Sequence, residues 1–309
     1  MVFKSTENVT SIADFLYRSN RLLLFLKVDN AHLASYADII RNERQIHTSY
    51  EREIIKRGQE FYRMCSTESA SYKTLKSPNP AMEMKAVHMD GDSLMAGVGV
   101  AVVDADVATC LSYEFKKDTR TALAERESRK IVEANVKKLN DHSHLYLSVR
   151  DLGVRGFFDR EFRVKTIWQM QDDGVAFLAY EDTQDLDEDF PRKAGNVAAS
   201  IQIACRFEPL KAAYGIPQTK VTCVAKGDLK GVIPAMFTNM LVSKQFRNLS
   251  KLHLKFERDH EIDGMSRAAI SKRIKTMSDY HGADFSDRFT DVKGKVRDTK
   301  IGGSTTSKV

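Results

Sequence analysis

Few residues in this 309-residue chain have the types and spacing to do chemistry. His142 and His144 stand two apart, so on a strand both would point the same way and could share a metal ion. No third ligand follows at a suitable spacing, and a solvent-facing pair at a strand start is the better account. Asp185, Asp187 and Glu188 resemble part of a calcium loop, but the central Gly and the terminal Glu register are missing. A solvated hairpin loop is expected there. Gly97 and Gly99 lie in GVGVAVV, inside a strand and not between strand and helix, so they do not cradle phosphate. Their expected role is close backbone approach or sheet curvature. The sequence contains no G-x-S-x-G, H-E-x-x-H or Walker motif. No catalytic residue, metal ligand or cofactor is therefore assigned.

Charge and cysteine use point the same way. Lys and Arg number 48 against 42 Asp and Glu, a net charge of +6 that is spread along the chain. It fits attraction to an anionic membrane surface. Nucleic acid is not an expected partner, because no aromatic-basic motif accompanies the charge. Cys65, Cys110, Cys205 and Cys223 lie far apart in apolar patterns, with no C-x-x-C. Buried reduced thiols and a cytoplasmic protein are expected. Cys205 and Cys223 fall on neighbouring predicted strands, but no disulfide is expected. The chain opens MVFKSTENVTSIADF, without a basic region followed by an apolar one, and the run Leu22–Leu26 is too short to span a bilayer.

The elements that would position a site follow from periodicity. Residues 10–66 read as helical, with Leu16, Leu23, Leu33, Tyr36, Ile39, Ile40, Ile46, Tyr50 and Ile54 recurring between many charges. Ser66–Pro80, with SPNP at 77–80, breaks the helix. Met82–Met89 and Ser93–Val103 form a hairpin around Asp90–Gly91–Asp92. A short helix capped by Asp104 or Asp106 carries Val107, Cys110, Leu111 and Phe115. Strands are predicted at Lys130–Leu139, His144–Asp151, Phe162–Gln171, Val175–Glu181, Asn196–Phe207 and Lys220–Lys226. Short turns between them imply an antiparallel meander. A long helix runs from Val232 to about Arg258, entered through the turn at Gly227, Asp228 and Gly231. Pro234 stands in its first turn, where the missing N–H is tolerated.

This order gives an α+β fold: a curved antiparallel sheet gripping a long C-terminal helix, preceded by an N-terminal helical segment. Residues 1–70 form a helical arm, 80–258 a ligand-binding domain, and 259–309 a polar tail or linker. Alternation puts Ile203 and Cys205 on one face of their strand, and Phe162, Val164 and Thr166 opposite Arg163, Lys165 and Ile167 on another. Beneath Ile233, Met236, Phe237 and Met240 of the helix, this face either leaves an apolar cavity or fills as a plain core. Arg150 and Arg163 would orient a polar group in such a cavity, or form surface ion pairs.

Three stretches carry a family resemblance. TKVTCVAKGDLKGVIPAMFTNML (219–241) is similar to the last strand, turn and final helix of the START (StAR-related lipid-transfer) domain, a helix-grip fold. DREFRVKTIW (159–168) resembles that family's Arg-Asp-Phe strand ending near a Trp, with Glu161 where the family more often has Asp. VAVVDADVATCLSYEF (100–115) resembles its passage from an early strand into a helix. The resemblance implies an apolar-ligand pocket, hence a lipid carrier or ligand sensor. The alternatives are an enzyme on the same fold, of cyclase or hydrolase type, and an interaction module that self-associates through the N-terminal helices. The residues favour a binder over an enzyme.

Overall fold

The computed structural model describes residues 31–289, except 43–44, 68–71, 78, 90, 125, 127–129 and 154–155, with side chains of the last helix described to 277. The helical reading of residues 10–30, the run Leu22–Leu26, Asp90 of the hairpin turn and the tail beyond 289 lie outside the described residues. No helix among the described residues is long and apolar enough to cross a membrane.

Two helices come first, α1 (31–42) and α2 (Ser49–Ser66). Thr48 starts α2 with a reciprocal cap: its hydroxyl accepts the Glu51 N–H at 3.2 Å, and Glu51 accepts the Thr48 N–H at 2.8 Å. Ile54, Ile55, Phe61 and Cys65 then recur at helical spacing and are buried. They pack on Ile167, Phe177, Ala179, Ala204 and Val224, the outer face of one large sheet.

That sheet has ten strands: β1 (Tyr72–Thr74), β2 (Met82–Val87), β3 (Ala96–Val103), β4 (Ile131–Lys138), β5 (Ser143–Arg150), β6 (Arg160–Met170), β7 (Ala176–Asp182), β8 (Val197–Ala198), β9 (Ser200–Ala213) and β10 (Ile216–Asp228). Its order is β1-β2-β3-β10-β9-β7-β6-β5-β4, antiparallel throughout except where β8 pairs with β6 in parallel. The chain leaves β3, crosses to the far edge, and returns as a meander that closes on β3. The crossing carries α3 (Val107–Phe115) and α4 (Arg120–Ala124). Asp106 caps α3 by accepting the Thr109 N–H at 3.0 Å. Phe115 of α3 meets Tyr36 of α1 and Trp168 of β6, so the crossing and α1 both lie against the inner face.

Three sequence expectations are corrected. The helix expected over 232–258 is broken into α5 (Ala235–Met240), a 3₁₀ turn (Val242–Phe246) and α6 (Arg247–Phe256), with Pro234 as the residue before α5. Thr238, Asn239, Val242 and Ser243 are indifferent helix formers. Asn239 is also held from outside the helix, accepting the Met95 N–H at 2.8 Å and donating to the Ser93 carbonyl at 3.0 Å. Helices α1 and α2 pack on the sheet and belong with it to one compact unit, Met1–Glu257. Second, the other unit, Arg258–Val309, contains α7 (Asp259–Phe289), a 31-residue helix where a polar tail is expected. Its sequence to that point has no proline, and opposite charges stand one turn apart at Arg258 and Glu261.

The third correction concerns the cysteines. Cys205 and Cys223 face each other directly across β9 and β10 and form a disulfide, while Cys65 and Cys110 are buried and free. Both belong to the inner set of side chains, so period-2 alternation brings the two sulfurs together. Alkylation in denaturant without reductant is therefore expected to label two cysteines, and four after reduction. Removing the bridge, as in Cys205→Ala, is expected to cost about 3 kcal/mol for its 18-residue separation, read from urea midpoints. Four labelled cysteines without reductant would refute the disulfide.

Candidate ligand-binding site

The inner face is built in rows, because the register aligns one residue from each strand. One row runs Met84, Gly99, Cys223, Cys205, Leu178 and Trp168. These side chains, with Val221, Phe207 and Ala176 of the next row, are buried in the main core. On the other side of the first row stand Gly97, Ala225, Ile203, Tyr180, Thr166 and His144. Beyond that come Ile201, Val164 and Tyr146. Ile201, Ile203 and Tyr146 are half-buried although they face inward, so the apolar surface comes to an open end there.

Two glycines decide how the helical segment sits. A methyl group on Gly97 would lie 2.5 Å from Phe246 Cε2 and 2.6 Å from Val242 Cγ1; on Gly99 it would lie 2.7 Å from Phe246 Cδ1. The expected close backbone approach is thus made by the 3₁₀ turn pressing on β3. Val242, Phe246, Leu249 and Leu252 close that part of the face.

The stripe expected to cover the sheet lies elsewhere. Met236, Phe237 and Met240 are exposed by 65%, 52% and 69%, and Ile233 is half-buried. Pro234 sets the start of α5 and Asn239 anchors its far side, so buried Thr238 faces the protein and the apolar side chains face out. Val232 adds to this surface at 85% exposed. Phe157 and Phe158, in the loop before β6, are exposed as well. Arg160 ties the two segments together. Fully buried, it donates to the Leu229 carbonyl at 2.7 Å and to the Phe158 carbonyl.

Of the sequence-predicted residues, the structure brings Ile203, Cys205 and Val164 to one inner face, with Cys205 taken by the disulfide. Phe162 is buried at the edge of that face, with the Arg150 guanidinium 5.3 Å from its ring centre. Arg163 is on the opposite face from Val164, as alternation requires, and does not point toward the inner face. It pairs instead with Glu161 at 2.6 Å and Asp187 at 3.0 Å.

Polar groups that sequence reasoning did not place in the site line the β5–β6 corner of the inner face. His144 Nε2, Thr166 Oγ1 and Ser148 Oγ are buried without a hydrogen-bond partner. His144 and Thr166 are directly paired across β5 and β6. Burial, with Lys117 and Lys116 nearby and against the pull of Asp118, pushes the His144 imidazole down to about 3, so it is neutral. Tyr180 donates to Glu114 Oε1 at 3.0 Å, and Lys117 pairs with the same carboxylate at 2.8 Å. Burial and that carboxylate raise the Tyr180 phenol well above its ordinary value. Each is an ordinary polar residue inside an alternating run, and only the register assembles them. The expectation of a solvent-facing His142–His144 pair is also corrected. Both are buried, His142 beside His47 with ring centres 4.5 Å apart and His144 against Phe115 at 4.3 Å.

No protein-family model and no curated protein matches the sequence. Solved structures share its fold. Human StAR-related lipid transfer protein 5 is 13% identical with a TM-score of 0.52, over 68% of this chain and 97% of that one. Human STARD10 is 14% identical with a TM-score of 0.50, over 70% of this chain and 83% of that one. At these identities the likeness is one of fold: the chain has the START-type helix-grip architecture.

Proposed function

We propose that this protein binds a lipid or other apolar small molecule between the inner face of the sheet and its helical cover, and exchanges it at a membrane surface. The observation that carries the reading is the open end of the inner face. Half-buried Ile201 and Ile203 stand there, and exposed Val232, Met236, Phe237 and Met240 follow on the adjoining turn and helix. Clustered exposed side chains of this size mark an interaction surface. Val164, Phe162, Ile203 and Ile233 would contact the ligand. His144, Thr166 and Ser148 would offer uncharged hydrogen-bonding partners to a hydroxyl or carbonyl at its inner end. The START-type fold supports the same reading, since one of the solved neighbours is described as a StAR-related lipid transfer protein.

During exchange α5 and Phe157–Phe158 would press into the membrane interface, assisted by the net charge of +6 on an anionic surface. Full burial of one such side chain is worth roughly 1.5–3 kcal/mol, so partial burial of several suffices for transient docking. The test is transfer of dehydroergosterol and of a fluorescent phosphatidylcholine between vesicles, with mass spectrometry of lipid retained by the purified chain. At least one is expected to move catalytically. Phe237→Gln with Met240→Gln is expected to slow transfer at least about tenfold. A chain that retains no lipid from any extract and moves neither probe would overturn the reading.

A further inference from the structure

A recess of about 540 Å³ opens on the outer side of β6, away from the inner face. It exists because β7 stops at Asp182, opposite Val164, while β6 extends to Arg160 and takes β8 as its neighbour. The chain between β7 and β8 arches over the gap. The floor includes Glu161 and Arg163, which are almost fully buried; Tyr50, Asp182, Arg192 and Lys230 stand around the rim. The volume is that of a small-molecule site, and the lining is charged.

Among the described residues, one buried donor here lacks a partner, and one exposed carboxylate at the rim carries no ion pair. Arg163 donates from Nε to Glu161 Oε1 at 2.6 Å and from Nη1 to Asp187 Oδ1 at 3.0 Å, yet its buried Nη2 has no partner. A buried guanidinium N–H without an acceptor is costly enough to call for an explanation. Asp182 accepts one backbone N–H, from Ile201 at 3.0 Å, and no cation among the described residues lies within ion-pair distance of it. The neighbouring cations are committed elsewhere: Lys230 pairs with Asp228 at 2.6 Å and Arg192 with Asp187 at 3.6 Å.

The charge balance then selects a ligand class. The lining holds three cations (Arg163, Arg192, Lys230) and three carboxylates (Glu161, Asp182, Asp185), formally neutral. A lone anion would meet the carboxylates, and a lone cation the basic groups. We propose that this recess binds a small zwitterion, its oxyanion taken by Arg163 and its ammonium by Asp182. Such a ligand supplies the acceptor that Nη2 lacks and the cation that Asp182 lacks, and it leaves the net charge unchanged. Both a free amino acid and the head group of a zwitterionic phospholipid have this chemistry.

The experiment is a titration of the full chain followed by calorimetry. The probes are L-alanine and sn-glycero-3-phosphoethanolamine, with inorganic phosphate and ethanolamine as controls of one charge sign each. At least one zwitterion is expected to bind saturably, and both controls at least about tenfold more weakly. Asp182→Asn, which keeps the acceptor for the Ile201 N–H, is expected to weaken the zwitterion about tenfold or more. Arg163→Met is the partner variant. It leaves Glu161 buried without its cation, so Asp182→Asn carries the test if Arg163→Met does not fold. Vesicle binding then assigns the source. If Asp182→Asn loses adhesion to phosphatidylethanolamine vesicles, the ligand is a lipid head group; if it loses only the soluble zwitterion, the ligand is a free small molecule. No saturable binding by either zwitterion, equal binding by either control, or an unchanged affinity in Asp182→Asn would each overturn the proposal.

Discussion

Lowering the pH from about 7 to about 4 is expected to remove about 3 kcal/mol of folding stability through His144 alone. The imidazole sits buried against Phe115 and is held at about 3 in the fold, whereas it returns to its ordinary value of 6.5 on unfolding. Between those values the unfolded chain binds a proton that the folded chain refuses. Stability is therefore full above about pH 6.5 and falls as the pH drops toward 3. The sign follows from the burial cost of charge, reinforced by Lys117 and Lys116 and only partly offset by Asp118. Glu51 joins at lower pH. Burial would raise its carboxyl, but hydrogen bonds from Thr48, Ser143 and Asn140 together outweigh that and hold it at about 2 against an ordinary value of 4.5, so its contribution is lost below about pH 4.5. Urea midpoints at the two pH values check this. His144→Leu is expected to flatten the upper part of the profile, above the Glu51 range, by about 3 kcal/mol relative to the native chain. An identical slope in both proteins would show that His144 opens to solvent before it titrates.

His144 also shows what the sequence conveys and what it withholds. Alternation at 143–150 and 160–170 is strong enough to reveal both strands and the face of every residue in them, and the predicted strand limits lie within a few residues of β2 to β7. The cap of α3 is readable to within two residues: Asp104 or Asp106 fits by sequence, and Asp106 takes the role. What alternation leaves open is which face is covered, and by what. His144 reads as a polar residue at a strand start until the crossing from β3 brings Phe115 over it. The same holds for Arg163. Its opposition to Val164 was visible, but the buried pair with Glu161 depends on the loop carrying Asp187, from a distant part of the chain. Cys205 and Cys223 share a face in sequence, but only the β9–β10 register makes them opposite neighbours. The broken helix was hidden for a related reason. Apolar spacing at Ile233, Phe237, Met240 and Leu241 is consistent with a buried stripe, yet Asn239 turns α5 so that much of it faces outward. Local pattern sets element type; long-range polar contacts set the rotation of an element and the end of it.

That distinction gives Gly97 an importance its composition does not advertise. Gly97→Ala is expected to destabilise the fold by about 2–3 kcal/mol, although alanine in a strand gains roughly 0.5–1 kcal/mol over glycine from the lower entropy of the unfolded chain. The sterics decide the sign. The added methyl meets Phe246 at 2.5 Å and Val242 at 2.6 Å, and both belong to the 3₁₀ turn, whose neighbours Thr238 and Leu249 are buried. Neither contact is the free end of a flexible chain, so the turn must lift from β3. Shortening the obstacle should restore the fit. Phe246→Leu alone leaves a void and lowers stability, but combined with Gly97→Ala it is expected to cost less than the sum of the two by at least about 1 kcal/mol. Additive losses would mean that the strand moves and not the turn. The functional consequence separates cover from scaffold: if the 3₁₀ turn grips the sheet while α5 forms the mobile edge, Gly97→Ala loosens the grip. It is then expected to speed release of a bound fluorescent lipid while Phe237→Gln with Met240→Gln slows its transfer. Opposite signs from two substitutions on opposite sides of one broken helix would not arise from a general loss of stability.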